Sequence, residues 1–382
     1  MSRQQIDRRE FVRESALAVT GAAAAGVLGT QSSNAAWTSN EIRNYNPKMH
    51  YRHLGKTGLT ISEVSLGGHW RNRGGGGVWG NFADGQVPDD VAKNRTEVVS
   101  ACIDAGMNYL DITTASECLS YGAALKGRRE KMYIGADDHL ICPRNPTNRN
   151  VDMQIRNVEQ CLRNLGTDYL DIWRVQACQA GGHPLDEVAV WVEAFQKLHK
   201  AGKARHFGIS THCRPWIQGA IEAFPDVEMV IFPCTAKTKE KGKPVTEENV
   251  VEGKMLDGWS SDTTKSIFQT VREKNVGLVT IKPFVGGFLF ERRPKFPVVG
   301  AGSEEEDDLV RLTLQCILTN DAITATVPGL TTVHEVENAV RASYDRALGM
   351  TSRQQEWLAG VTDERWQQLP KEYRWLRDWE VV

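Results

Sequence analysis

At 382 residues, 41% hydrophobic and 25% charged, the chain has the composition of a globular protein long enough to bury a large core. Its formal net charge of −2 gives no general electrostatic case for nucleic acid or for an anionic membrane surface. The eight cysteines include no C-x-x-C pair, which argues against a zinc ribbon or a ferredoxin-type cluster.

The chain opens on Asp7-Arg8-Arg9-Glu10-Phe11, followed by an Ala-rich apolar run over 16–29. That run is too short and too weakly apolar for a stable membrane span, and Ser33 and Ala35 suit signal-peptidase cleavage. The segment resembles a twin-arginine signal, which sends already folded proteins across a membrane. Residues 1–36 are therefore expected to be a signal peptide and the start of a linker. The resemblance implies a periplasmic or otherwise extracytoplasmic protein, with the export machinery for folded proteins as a partner. The alternatives are a signal kept uncleaved as an anchor and an arginine-rich start on a cytosolic protein.

Beyond a polar linker, residues 59–66 (LTISEVSL) alternate with period two and end at Gly67-Gly68, a strand. Residues 96–105 carry apolar side chains at helical spacing and stop at Gly106. Short apolar strands at 109–111, 132–135, 169–175, 204–209, 229–232, 276–281 and 323–327 then alternate with helical stretches, such as those near 119–126, 151–165, 185–201 and 215–223. Eight strand–helix units predict an α/β protein, a (β/α)8 TIM barrel over 37–350, with a C-terminal helical extension over 351–382. A doubly wound open sheet is weakened because no G-x-G-x-x-G follows the first strand. Residues 68–94 and 235–263 read as long loops on the face where barrels carry their sites, either lids or solvated decoration. The tail tryptophans Trp357, Trp366, Trp375 and Trp379 are expected to pack onto the barrel.

Several stretches, in order, resemble the aldo/keto reductase family. They are YRHLGKTGL at 51–59, DAGMNYLD at 104–111, ALKGRR at 124–129, LGTDYLDI at 165–172, GKARHFGIS at 202–210, KPFVGG at 282–287 and PGL at 328–330 with its continuation to Asn338. The resemblance implies hydride transfer between a nicotinamide dinucleotide, NADP or NAD, and a small-molecule substrate, a carbonyl, polyol or sugar. That chemistry customarily uses a Tyr acid whose pKa is lowered by a Lys that an Asp orients, with a His nearby.

Only Asp111 matches that set. Ser116 and Glu117 stand where the Tyr belongs, Asp137 where the Lys belongs, and Gln176 where the His belongs. The candidate catalytic residues are thus Asp111, Asp137 and Gln176. Asp137 beside Asp111 would set two like charges together and leave a shared proton. A protonated carboxyl could then donate to a carbonyl, with Gln176 as a neutral donor. Tyr121 aligns with a packing position in a helix, and His139 and His212 are alternative proton carriers.

The resemblance assigns the dinucleotide to Ser210 and Thr211 at the carboxamide, and to Lys282, Pro283, Gly286 and Gly287 at the pyrophosphate. Gly329, Glu335 and Asn338 match positions at the adenosine end, and no Arg or Lys between 328 and 338 would clamp a 2′-phosphate. The ring-stacking Tyr is missing, leaving Phe232 or Trp173 to replace it. Trp70 and Trp79 would suit a carbohydrate or simply the core. Cys142, Cys178, Cys213 and Cys234 each fall just past a strand end, open to coincidence, a disulfide or a soft-metal site with His212. Two other readings remain: a catalytically inactive barrel that binds a dinucleotide or a sugar, and an altered lyase or isomerase.

Overall fold

The structure, a computed structural model, describes residues 42–70, 85–240, 265–290, 304–380 and 382. The arginine-pair segment, Trp79 and most of both long loops lie outside the described residues. The chain divides into two units, and every described residue belongs to the second, Thr38–Val382.

An antiparallel hairpin comes first, β1 (Tyr51–His53) with β2 (Thr60–Ser62). The stretch read as one strand over 59–66 is therefore two. Its first half pairs within the hairpin, and its end runs through the Val64 bridge into β3 (Leu66–Gly67) of the barrel. Leu54 and Ile61 of the hairpin are fully buried in one cluster with Tyr109, Ile172, Met229, Ile231 and Val279, so the hairpin contributes to the barrel's core.

The barrel strands run on as β4 (Tyr109–Ile112), β5 (Tyr133–Ala136), β6 (Leu170–Gln176), β7 (Ala204–Ser210), β8 (Met229–Pro233), β9 (Gly277–Ile281) and β10 (Ala325–Thr326). β3 to β10 pair in sequence order, all parallel. Bridges Val64↔Thr326 and Gly67↔Gly329 join the two edges, so the sheet curls into the (β/α)8 barrel. Gly67 is needed at this seam, because a Cβ there would lie 2.6 Å from the Val327 carbonyl oxygen.

The outer layer comprises α1 (Asp89–Asp104), α2 (Ala115–Ala124), α3 (Val151–Leu165), α4 (Leu185–Lys200), α5 (Arg214–Ala223), α6 (Ile267–Glu273), α7 (Glu304–Leu318) and α8 (Val333–Tyr344). Local chemistry sets their ends. Asn150 accepts from the Met153 amide to start α3, and Gly166 at φ 65° stops it. Thr332 and Glu335 form a capping box on α8. The tail supplies α9 (Ser352–Gln367) and a 3-10 segment over Lys371–Glu380.

Candidate active site

The strands' C-terminal ends define the mouth of the barrel, the face on which such folds carry chemistry. Asp111, in β4, is nearly enclosed there, and its partner comes from β6. Arg174 Nε donates to Asp111 Oδ1 at 2.8 Å, one terminal nitrogen donates to Ser210 Oγ at 3.0 Å, and the other to the Ile112 carbonyl at 2.7 Å. Three strands are tied by one buried guanidinium. Burial works against the Arg174 charge, but Asp111 and Asp137 outweigh it and hold the guanidinium protonated. Tyr109 lies in the same core and donates to Asp111 at 3.3 Å.

Asp137 does not share a proton with Asp111. Its Oδ1 accepts from Asn157 at 2.7 Å and from the Trp173 indole at 3.3 Å, and its Oδ2 accepts from the Gln176 amide at 2.8 Å. Burial pushes its carboxyl up to about 7, against the pull of Arg174 and these donors. The like-charge arrangement expected from the sequence is replaced by Arg174, which is bonded to Asp111 and attracts Asp137. Gln176 spends its Nε2 protons on the Thr113 carbonyl at 3.0 Å and the Asp137 carbonyl at 3.2 Å, so it offers no donor to a substrate.

The other substitute groups are similarly engaged. Tyr121 is fully buried and donates to the Gly67 carbonyl at 3.0 Å, and burial holds its phenol far above the usual range. Trp70 packs edge-on against it at 5.1 Å. Trp173 is enclosed against Phe207, and Phe232 against Phe268 and Trp379, so neither presents a stacking face. His139 sits 3.7 Å from Asp138 on the loop after β5. His212 is held well below the usual imidazole range by burial, with Lys282 and Arg144 adding to it. The four rim cysteines are free thiols, and no cluster suited to a metal occurs among the described residues.

Three groups that the sequence reading left unweighted meet at the mouth. Glu117 is fully buried in α2, and its Oε2 accepts from the Thr113 amide at 2.7 Å and hydroxyl at 2.8 Å. Its Oε1 lies 3.0 Å from Nδ1 of His69, which follows β3, and Thr113 Oγ1 lies 2.9 Å from the same nitrogen. Burial penalises the Glu117 charge, yet His69 and Thr113 hold its carboxyl below the usual range. Both Glu117 and His69 act electrostatically on Asp111. Arg174 was also missed. Strand alternation would have found it, since it shares the inward parity of Ile172.

The dinucleotide assignments fare unevenly. Ser210 faces Arg174, while the Thr211 hydroxyl is spent on the Cys178 carbonyl at 2.8 Å. The loop over 282–287 holds Lys282 (φ 58°), Val285 (φ 54°), Gly286 (φ 65°) and Gly287 (φ 89°), with Pro283 inside it. Left-handed backbone at a Lys and a β-branched Val is unusual. Tyr373 of the tail lies over it, its hydroxyl 2.5 Å from where a Gly286 Cβ would stand. His212 Nδ1 is a buried polar atom without a hydrogen-bond partner, next in sequence to Ser210-Thr211. At the adenosine end the residues serve the fold: Glu335 caps α8, Asn338 donates to the Asp307 carbonyl at 2.9 Å, and Gly329 packs on the His69 carbonyl. The residues at the nicotinamide and pyrophosphate positions thus fit such a group better than those at the adenosine end.

The profile of the Aldo/keto reductase family matches residues 75–310. The chain is 26% identical over 180 residues to 6-dehydroglucose reductase of Novosphingobium aromaticivorans, covering 44% of this chain and 53% of that protein. It therefore spans about half the length of that relative. With L-galactose dehydrogenase of Arabidopsis thaliana it is 24% identical over 341 residues, 82% of this chain and 93% of the relative. In fold it matches an aldo-keto reductase from Bacillus halodurans in its holo form, with TM-score 0.56 and 19% identity over 82% of this chain and 96% of that one.

Proposed function

The chain belongs to the aldo/keto reductase family, and on that premise we propose that it is an NAD(P)-dependent oxidoreductase for a small carbonyl, polyol or sugar, working through a non-standard site. The observation that carries this reading is the buried Asp111–Arg174–Ser210 chain at the barrel mouth. It keeps a fixed cation under the mouth although the customary Lys and Tyr are absent. Ser210, Lys282, Pro283, Gly286 and Gly287 would hold the dinucleotide, which supplies the hydride when bound. Arg174 fixes the Ser210 hydroxyl, and Asp111 keeps Arg174 in place. Asp137 and Gln176 act by tying the ends of β4, β5 and β6 together rather than by touching substrate. That two relatives are named for sugars favours a sugar or polyol. Residues 1–36 are read as a twin-arginine signal, so the working protein is extracytoplasmic.

The test is fluorescence titration of protein recovered from the periplasmic fraction with NADH and NADPH, followed by assays on small aldoses, ketoses and polyols. Saturable binding, turnover in the wild type and its loss in Asp111→Asn are expected, and the recovered mass should lack the signal. A protein that binds neither dinucleotide overturns the enzymatic reading. One recovered only from the cytoplasm at full mass overturns the export reading.

A further inference from the structure

The mouth of the barrel carries more basic groups than a neutral sugar requires. Arg144, on the loop after β5, is half-buried, as are His212, after β7, and Lys282, after β9. Arg144 Nε donates to the Ala177 carbonyl at 3.0 Å, and the Ala177 amide donates to the Ser210 carbonyl at 3.1 Å. The guanidinium is thereby fixed over the end of β6, next to Ser210. Among the described residues neither terminal nitrogen of Arg144 has an acceptor, and no carboxylate is paired with it. Asp137 acts on it electrostatically, but the oxygens of Asp137 are taken by Asn157, Trp173 and Gln176. Burial, and then Arg144, holds Lys282 below the usual ammonium range. The His212 imidazole is lowered by burial and by both of these cations, and its Nδ1 is buried without a partner. Basic groups crowded together without a paired counter-charge cost the fold stability, and such clusters mark binding sites.

We propose that Arg144, with His212, binds an anionic group of the substrate, the carboxylate of a sugar acid or the phosphate of a sugar phosphate. The inference rests on the oxidoreductase reading and names the substrate class for it. A guanidinium suits the task, because its planar fork gives a carboxylate or phosphate two parallel N–H bonds and keeps its charge on partial burial. The Nε bond to Ala177 holds that fork in place and leaves both terminal nitrogens to the ligand. His212, kept neutral, adds a hydrogen bond without a second charge to desolvate, and the Trp375 stack at 4.5 Å fixes its ring. The positions assigned to the dinucleotide lie at or after the ends of β7, β9 and β10, whereas Arg144 enters from the β5 side. That is the side left for substrate. Lys282, already placed at the dinucleotide, adds to the positive field that draws an anion to the mouth.

Calorimetric titration of the purified protein with D-glucuronate, glucose 6-phosphate and D-glucose reads this site without turnover. At least one of the two acids should bind about tenfold or more tightly than glucose, the worth of one hydrogen bond to a charged group. High salt should shrink that preference. The acid that wins tells carboxylate from phosphate. In Arg144→Gln the preference should disappear, with the Kd for NADH and NADPH and the thermal midpoint as in the wild type. Arg144→Lys, which keeps the charge without the fork, should retain part of it. If neither acid outbinds glucose, or if the preference survives in Arg144→Gln, the proposal is overturned. It is also overturned if the loss in Arg144→Gln falls on the dinucleotide instead. Selective binding of an acid by a protein with no affinity for either dinucleotide overturns the oxidoreductase reading and leaves the anion site standing.

Discussion

Asp137 has three hydrogen-bond donors on its two oxygens and no cation bonded to it among the described residues. Burial therefore sets its titration, raising it from 3.8 to about 7. A carboxyl raised in the folded state contributes its full stability below its ordinary value, and that contribution is lost as pH rises through the folded value. Stability should decline between about pH 4 and about pH 7 for this reason. Urea midpoints at pH 5 and pH 8 should differ less in Asp137→Asn than in the wild type; equal differences would show that Asp137 is ionised throughout. At this scale the sequence was only half legible. Family register pointed to Asp111, Asp137 and Gln176, but register describes positions the family uses. Arg174 lies inside a strand, so its role shows only when β4 and β6 meet.

The elements themselves were easier to read, because buried parallel strands are short apolar runs and their helices are capped by recognisable residues. The misreading at 59–66 has a physical cause: alternation identifies a strand but not its partner, and here the partner changes after Ser62. The tail behaves as the tryptophan spacing suggested, packing onto the barrel. Trp379 is 2% exposed, stacks on Phe232 at 5.0 Å and donates to the His212 carbonyl at 3.0 Å, while Trp375 stacks on the His212 ring at 4.5 Å. What sequence could not show is where it packs: Tyr373 lies on the 282–287 loop, so tail and loop are one structural unit. Trp379→Ala should cost about 3–5 kcal/mol, by cavity formation and lost burial. Trp379→Phe, which keeps the stack and loses the indole donor, should cost less. Chemical denaturation measures both, and a Trp379→Ala protein within about 1 kcal/mol of wild type would mean that the tail is not anchored there.

Across the whole molecule, closure depends on the shortest strands. β3 and β10 have two residues each, which is why the eight units were countable in the sequence while their seam was not. The seam is backbone against backbone. Ser65 and Gly67 amides donate to the Thr326 and Pro328 carbonyls at 3.0 and 2.9 Å, and a Cβ on Gly67 would meet the Val327 and Pro328 oxygens at 2.6 and 2.9 Å. Neither oxygen is on a flexible side chain, so Gly67→Ala must part the strands. It should destabilise the protein by about 1–3 kcal/mol, as overpacking does elsewhere. Gly127→Ala is the informative control: its φ is +76° but nothing lies within 4 Å, so its cost is that of the backbone conformation alone. The seam also carries the site, since the Gly67 carbonyl anchors Tyr121 and His69 follows two residues later. If closure positions the site, Gly67→Ala lowers kcat as well as the unfolding free energy, while Gly127→Ala affects stability only. Equal kcat in both variants would separate the seam from the chemistry.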